Sequence, residues 1–76
     1  MMIKVEIRLF AYFREGRWKR KTLEFKEGAT LSDIIKYLNI DEDEVSVLLL
    51  NGIDGPASRQ PKDGDIISLF PPVGGG

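Results

Sequence analysis

The chain offers one helical stripe, and it lies between two pairs of alternating segments. Leu31, Ile34, Ile35 and Leu38 recur at helical spacing and put one apolar face on a helix expected over residues 31–39. Thr30 is a good N-cap, and Asp33 stands where a capping box places an acid. Asn39 suits a left-handed C-cap. With 76 residues, one short helix cannot form a core alone. It must pack on a sheet. A domain of this size buries only about 60% of its unfolded surface. The chain contains no cysteine and no histidine, so disulfides and the usual zinc sites are excluded.

The segments around the helix read as strands. Ile3, Val5, Ile7 and Leu9 alternate with Lys4, Glu6, Arg8 and Phe10, which predicts a half-buried strand over 3–10 with Phe10 on the polar face. Residues 11–18 break the period and read as a turn or a short irregular helical piece. Residues 19–26 alternate through Leu23 and Phe25 and form a second strand. After the helix, 45–50 is a third strand, stopped by the turn dipeptide Asn51-Gly52. Residues 53–63 read as loop, with a very short edge strand near Ala57–Arg59. Asp63-Gly64-Asp65 is a turn, and 66–70 is the last strand. Ile67 and Leu69 share its core phase; Ile66, Ser68 and Phe70 share the other.

This order predicts an α+β chain: one mixed sheet with a single main helix on one face. The helix serves as the crossover that sets the first and last strands side by side and parallel. That is a β-grasp arrangement. The expected organisation is a domain over 1–70 and a flexible Gly-rich tail over 71–76. Pro71 and Pro72 stop the last strand, and Val73-Gly74-Gly75-Gly76 follows. Six residues reach about 20 Å. Three glycines in a row are thin and unrestricted, and an α-carboxyl on Gly76 is ionised at neutral pH. The tail reads as a carboxylate presented for chemistry in a partner's active site, against the alternative of a frayed terminus.

Several function classes are disfavoured. With no histidine or cysteine there is no usual general base and no thiol nucleophile, and no acyl-transfer triad can be assembled. There is no Gly-Lys phosphate loop. A non-catalytic chain, reactive only with partner enzymes, is expected, binding neither metal nor cofactor. Net charge is −1, which gives no global case for nucleic acid. Charge is nevertheless segregated: Arg14, Arg17, Lys19, Arg20 and Lys21 cluster, and Asp41-Glu42-Asp43-Glu44 is continuous. Both read as solvated segments or as elements that steer a charged partner. Trp18 is expected to pack on the hairpin rather than stack on bases. No run of eighteen apolar residues exists, so no membrane span is expected and the cytoplasm is the default location.

Three pieces carry a family resemblance: Phe10-Ala11-Tyr12-Phe13-Arg14-Glu15, then Asn51-Gly52, then Asp63-Gly64-Asp65 through Phe70-Pro71-Pro72-Val73-Gly74-Gly75-Gly76. Together they resemble the ubiquitin-like sulfur carriers, above all those that serve as small subunits of molybdopterin synthase. The basic cluster around Trp18 is not part of that pattern, and Gly16 follows Glu15 where the family often has leucine and then glycine. The resemblance implies that a ubiquitin-activating-type enzyme adenylates the Gly76 carboxylate with ATP and Mg²⁺, both held by that partner. A sulfur donor then leaves a thiocarboxylate. The large, catalytic subunit of molybdopterin synthase, or an equivalent acceptor, takes the sulfur. Thiamine synthesis or tRNA thiolation would use the same chemistry, and a protein modifier would join Gly76 to lysines. An inert β-grasp interaction module is the remaining alternative.

Docking requires a surface. Phe10 and Phe70 are out of phase with the core of their own strands, so both rings are expected on the sheet face opposite the helix, joined by Ile66 and extended by Ile53. Val73 is a candidate anchor at the mouth of a partner's channel, or a residue packed on its own sheet. Gly74 lengthens the thin part of the tail.

Overall fold

The computed structural model describes residues 1–72. Strand β1 (Met2–Leu9) lies in the middle of the sheet and buries every second side chain: Val5, Ile7 and Leu9 are wholly enclosed. It pairs antiparallel with β2 (Arg20–Lys26). Helix α1 (Leu31–Tyr37) follows, then β3 (Val47–Leu50), β4 (Ile53–Asp54) and β5 (Ile66–Phe70). The sheet order is β2-β1-β5-β3-β4. β1 and β5 are parallel, with Ile7 beside Ile67 and Leu9 beside Leu69. The expected mixed sheet with one main helix and a parallel central pair is what forms.

The helix lies where its apolar stripe dictates. Leu31, Ile34 and Ile35 are fully buried, with Ile67 and Leu69 in the same core. Leu23 and Phe25 of β2 are half-buried against that core, as is Trp18. The predicted capping box is present: the Asp33 amide donates to Thr30 Oγ1 (3.1 Å), and the Thr30 amide donates to Asp33 Oδ2 (3.0 Å). The next two orphan amides go to a loop. Leu31 N–H donates to the Arg59 carbonyl (3.0 Å) and Ser32 N–H to the Ala57 carbonyl (2.9 Å). The helix is two residues shorter than the spacing predicts. Asn39 turns left-handed at φ 59°, and the Asn39 and Ile40 amides close back on the Lys36 and Ile35 carbonyls. That is a Schellman end, with buried Ile40 as its apolar contact.

Two local differences from expectation have physical reasons. The minor strand is β4, not the 57–59 stretch. Asn51 (φ 53°) and Gly52 (φ 82°) both take positive φ, the requirement of a two-residue hairpin turn, so the chain re-enters the sheet at once. Residues 57–59 instead cap α1, and Arg59 clasps the loop by donating to the carbonyls of Ile53 (2.7 Å), Pro56 (2.8 Å) and Leu48 (3.0 Å). The acidic run forms a 3₁₀ turn, Glu42–Glu44, with the Asp41 carboxylate accepting from the Asp43 amide. That turn delays β3 to Val47. At the other end, β5 stops at Phe70, the residue before two prolines; Pro71 is buried and Pro72 exposed.

The capping box has a pH signature. The hydrogen bond from the Thr30 amide, and then the Thr30 side chain, hold the Asp33 carboxyl below its ordinary value. A carboxyl depressed in the folded state contributes stability that is complete above its unfolded pKa and is lost as pH falls through the folded one. The melting-temperature gap between the natural chain and Asp33→Ala is therefore expected to be full at neutral pH and to shrink below the usual carboxylate range. A gap independent of pH would remove Asp33 from this role.

Candidate functional site

Because β1 and β5 are parallel, they finish at the same end of the sheet. Their next out-of-phase residues are Phe10 and Phe70. The two rings stack with centroids 4.1 Å apart and planes 11° from parallel. Phe10 is extended (φ −128°, ψ 155°) and its amide donates to the Leu69 carbonyl (3.2 Å), which fixes it beside β5. A short 3₁₀ helix, Ala11–Arg14, follows and buries Phe13. It returns Arg14 to the end of β1, where Nε donates to the Leu9 carbonyl (2.7 Å) and the guanidinium lies 5.1 Å from the Phe10 ring centroid. The spacing of Phe10, Phe13 and Arg14 thus has a physical meaning: stacking ring, core anchor, lock.

Phe70 of this pair borders an apolar groove of about 430 Å³, walled also by Tyr12, Val47, Leu49, Pro71 and Pro72. Val47 lies opposite Phe70 and Leu49 opposite Ser68, so β3 presents one phase here while Leu48 enters the core. Tyr12 donates its hydroxyl to the Glu44 carboxylate (3.3 Å). Desolvation, followed by the Glu44 charge and this hydrogen bond, raises the phenol pKa above its usual value, so Tyr12 stays protonated as a donor. On the other side of Phe10 a cleft of about 310 Å³ is lined by Arg8, Arg14, Lys19 and Arg20.

The other end of β5 is a structural lock. The Asn51 side chain accepts from the Ile66 amide (2.9 Å) and donates to Asp65 (3.0 Å). Asp63 accepts from the Lys4 amide (2.7 Å), and Gly64, at φ 88°, donates its amide to the Lys4 carbonyl (2.7 Å). Asn51-Gly52 and Asp63-Gly64-Asp65 therefore tie β1, β3 and β5 together.

Of the residues singled out from sequence, Phe10 and Phe70 are brought into contact on the helix-free face. Ile66 shares that face but lies at the opposite end of β5, about 13 Å along the strand from Phe70. Ile53 does not extend the patch. It pairs with Leu50, which pairs with Ile67 of the core phase, so the hairpin register turns it to the helix side, where it is 68% exposed. Val73, Gly74, Gly75 and Gly76 lie outside the described residues. Tyr12, Val47 and Leu49 were missed. The run 45–50 is nearly all apolar, so its two faces become distinguishable only through the pairing of Val47 with Phe70. Among the described residues no cluster of three or more His, Cys, Asp or Glu side chains could hold a metal ion. No helix among them is long and apolar enough to cross a membrane.

A five-stranded mixed sheet in this order, with one helix on one face, is the ubiquitin-like β-grasp fold. The ThiS family model matches residues 7–76, and the chain belongs to that family, the ubiquitin-like sulfur carriers. Among solved structures, a Pyrococcus furiosus protein described as molybdopterin converting factor, subunit 1, is 31% identical. The alignment covers 93% of this chain and 99% of that one, with a TM-score of 0.77. A chain in the complex of subunits 1 and 2 of molybdopterin-converting factor from Helicobacter pylori is 32% identical over 100% of both chains, with a TM-score of 0.58. Small archaeal modifier protein 1 from Methanosarcina acetivorans is 26% identical over 100% of this chain and 99% of that one, with a TM-score of 0.70. No curated protein sequence matches the chain.

The groove assignment has a direct stability test. Leu69→Ala empties a fully buried position and is expected to cost about 2–5 kcal/mol. Phe70→Ala, one residue on and half-buried, is expected to cost clearly less in urea denaturation. Equal costs would place Phe70 in the core and not on a docking face.

Proposed function

We propose that this chain carries sulfur as a thiocarboxylate on Gly76 and is not itself a catalyst. The observation that carries this reading is the family match running through the Phe70–Gly76 segment. It is supported by the groove beside Pro71 and Pro72, where a partner can hold the body while the tail reaches its active site. Residues 1–70 act as the body and 71–76 as the tail.

A carboxylate resists nucleophiles because it is already negative. In the activating partner, which supplies ATP and Mg²⁺, a Gly76 carboxylate oxygen attacks the α-phosphorus of ATP and expels pyrophosphate. The acyl adenylate is electrophilic. Sulfide attacks its carbonyl carbon, AMP leaves with the C–O electron pair, and loss of a proton gives the thiocarboxylate. The tail then enters the acceptor enzyme, where the thiocarboxylate sulfur attacks an electrophilic carbon of the substrate and water cleaves the resulting thioester, which leaves the sulfur on the substrate and returns the Gly76 carboxylate. Glycine at 75 and 76 suits a narrow channel, since a Cβ would widen the chain and restrict its backbone. Gly74 lengthens this thin part, and Val73 anchors at the channel mouth. Phe10, Phe70, Val47 and Leu49 hold the partner; Ile66 contributes from the far end of the face.

Molybdopterin synthesis is the favoured pathway. It rests on the Pyrococcus furiosus and Helicobacter pylori proteins, the second of which is in complex with subunit 2. The acceptor would then be the large subunit of molybdopterin synthase. The likeness to an archaeal modifier protein supports a second reading, in which the same adenylate is captured by a lysine of a target protein. Mass spectrometry separates the two. A carrier gains one sulfur in place of one oxygen, whereas a modifier yields high-mass conjugates.

Deleting Gly75-Gly76, or adding one residue after Gly76, is expected to abolish ATP–pyrophosphate exchange by the cognate activating enzyme while leaving the urea midpoint unchanged. The isolated chain is expected to turn over no ATP. Exchange that survives either change would contradict the proposal.

A further inference from the structure

The basic cleft beside Phe10 is not used by the chemistry above. Arg8 and Arg20 are directly opposed across the β1–β2 ladder, so their side chains share one face. Like charges so placed oppose folding. Four residues along the same ladder, on the same face, Lys4 is opposite Glu24, a pairing of unlike charges that favours folding. Glu6 pairs with Arg8 and relieves part of the repulsion. Among the described residues Arg14, Lys19 and Arg20 are in no ion pair. Arg14 is held rigidly over Phe10, so part of the charge is pre-positioned. Arg8 and Arg14 thus have structural contacts, whereas Lys19 and Arg20 add positive charge with no ion-pair partner among the described residues.

The cleft and the apolar groove lie on either side of the stacked pair, since Phe10 lines one and Phe70 the other. Tyr12 on the groove wall bonds Glu44, but the acidic turn itself lies toward α1, where Glu42 bonds Ser32. From β2 to β3 the helix-free face reads basic, aromatic, apolar. A net charge of −1 gives a polyanion such as nucleic acid no general attraction. A folded protein surface can match all three zones.

We propose that the cleft formed by Arg8, Arg14, Lys19 and Arg20 seats an acidic segment of the protein partner that docks on the groove, with Asp or Glu carboxylates against these cations and apolar side chains against Val47, Leu49 and Phe70. The proposal rests on the reading that this face receives the activating partner. It assigns the cleft a role in encounter and partner choice, since interfacial charge acts mainly on association rate and specificity.

The test is stopped-flow association of the full chain with its cognate activating enzyme across a range of ionic strength. Lys19→Glu/Arg20→Glu is expected to lower the association rate about tenfold or more at low salt. The difference is expected to shrink as salt screens it. Arg20→Glu alone is expected to keep or raise the urea midpoint, because it removes the opposed arginine pair; a merely structural role for Arg20 would lower it. Leu49→Ala is expected to raise the dissociation rate and leave the salt dependence intact. An association rate and salt dependence equal to the natural chain's would overturn the proposal. So would loss, in the charge-reversed chain, of binding to a labelled single-stranded oligonucleotide with enzyme association unaffected. Dissociation by Arg20→Glu of a dimer seen with the natural chain alone would also overturn it, assigning the cleft to the acidic turn of a second copy. Sulfur loading of the natural chain is measured separately and reads the carrier role, so failure of that role is distinguishable from failure of the cleft.

Discussion

The parallel contact between β1 and β5 is the constraint on which the other features depend. Ile7 with Ile67 and Leu9 with Leu69 form a buried ladder that faces α1, and all four side chains are wholly enclosed. A parallel pair cannot be joined by a tight turn, so the intervening chain must supply a crossover. α1 is that crossover, and its apolar stripe closes the core in the same step. Parallel strands also end together. That places Phe10 and Phe70 side by side on the uncovered face and brings Pro71 and Pro72 out next to them. The apolar groove and the exit of the chain beside it are consequences of one strand pairing.

The rest of the molecule protects that pairing. At the far end of β5, Asn51 and the Asp63–Asp65 turn satisfy exposed amides of β1 and β5 through side-chain oxygens. At α1, the loop carbonyls of Ala57 and Arg59 satisfy amides that no helix of its length can satisfy internally. Segments that read as irregular in sequence are thus occupied in hydrogen-bond closure, as a small domain without disulfides requires.

Much of this was legible in the residues. Alternation in 3–10 and 66–70, together with the Thr30–Asp33 pattern, was enough for the strands, the helix and the mixed sheet. The displaced phases of Phe10 and Phe70 were enough to predict a shared face. What could not be read depended on pairing partners. Val47 and Leu49 are hidden in an apolar run whose faces are defined only by β5. Ile53 looked like part of the patch until the two-residue turn set its register against Leu50. The 3₁₀ turn at Glu42–Glu44 carries no apolar period, and the role of Arg59 is a side-chain contact to carbonyls distant in sequence. The site is therefore half local pattern and half register.

In the proposed function the helix-free face, at the end shared by β1 and β5, receives the partner. Amide chemical-shift mapping of the isotope-labelled chain, titrated with its cognate activating enzyme, tests this most directly. Perturbations are expected to concentrate at Phe10, Tyr12, Val47, Leu49 and Phe70, with the exposed side of α1 at Lys36 and Tyr37 unmoved. Perturbations concentrated on α1, with Phe10 and Phe70 unchanged, would contradict it.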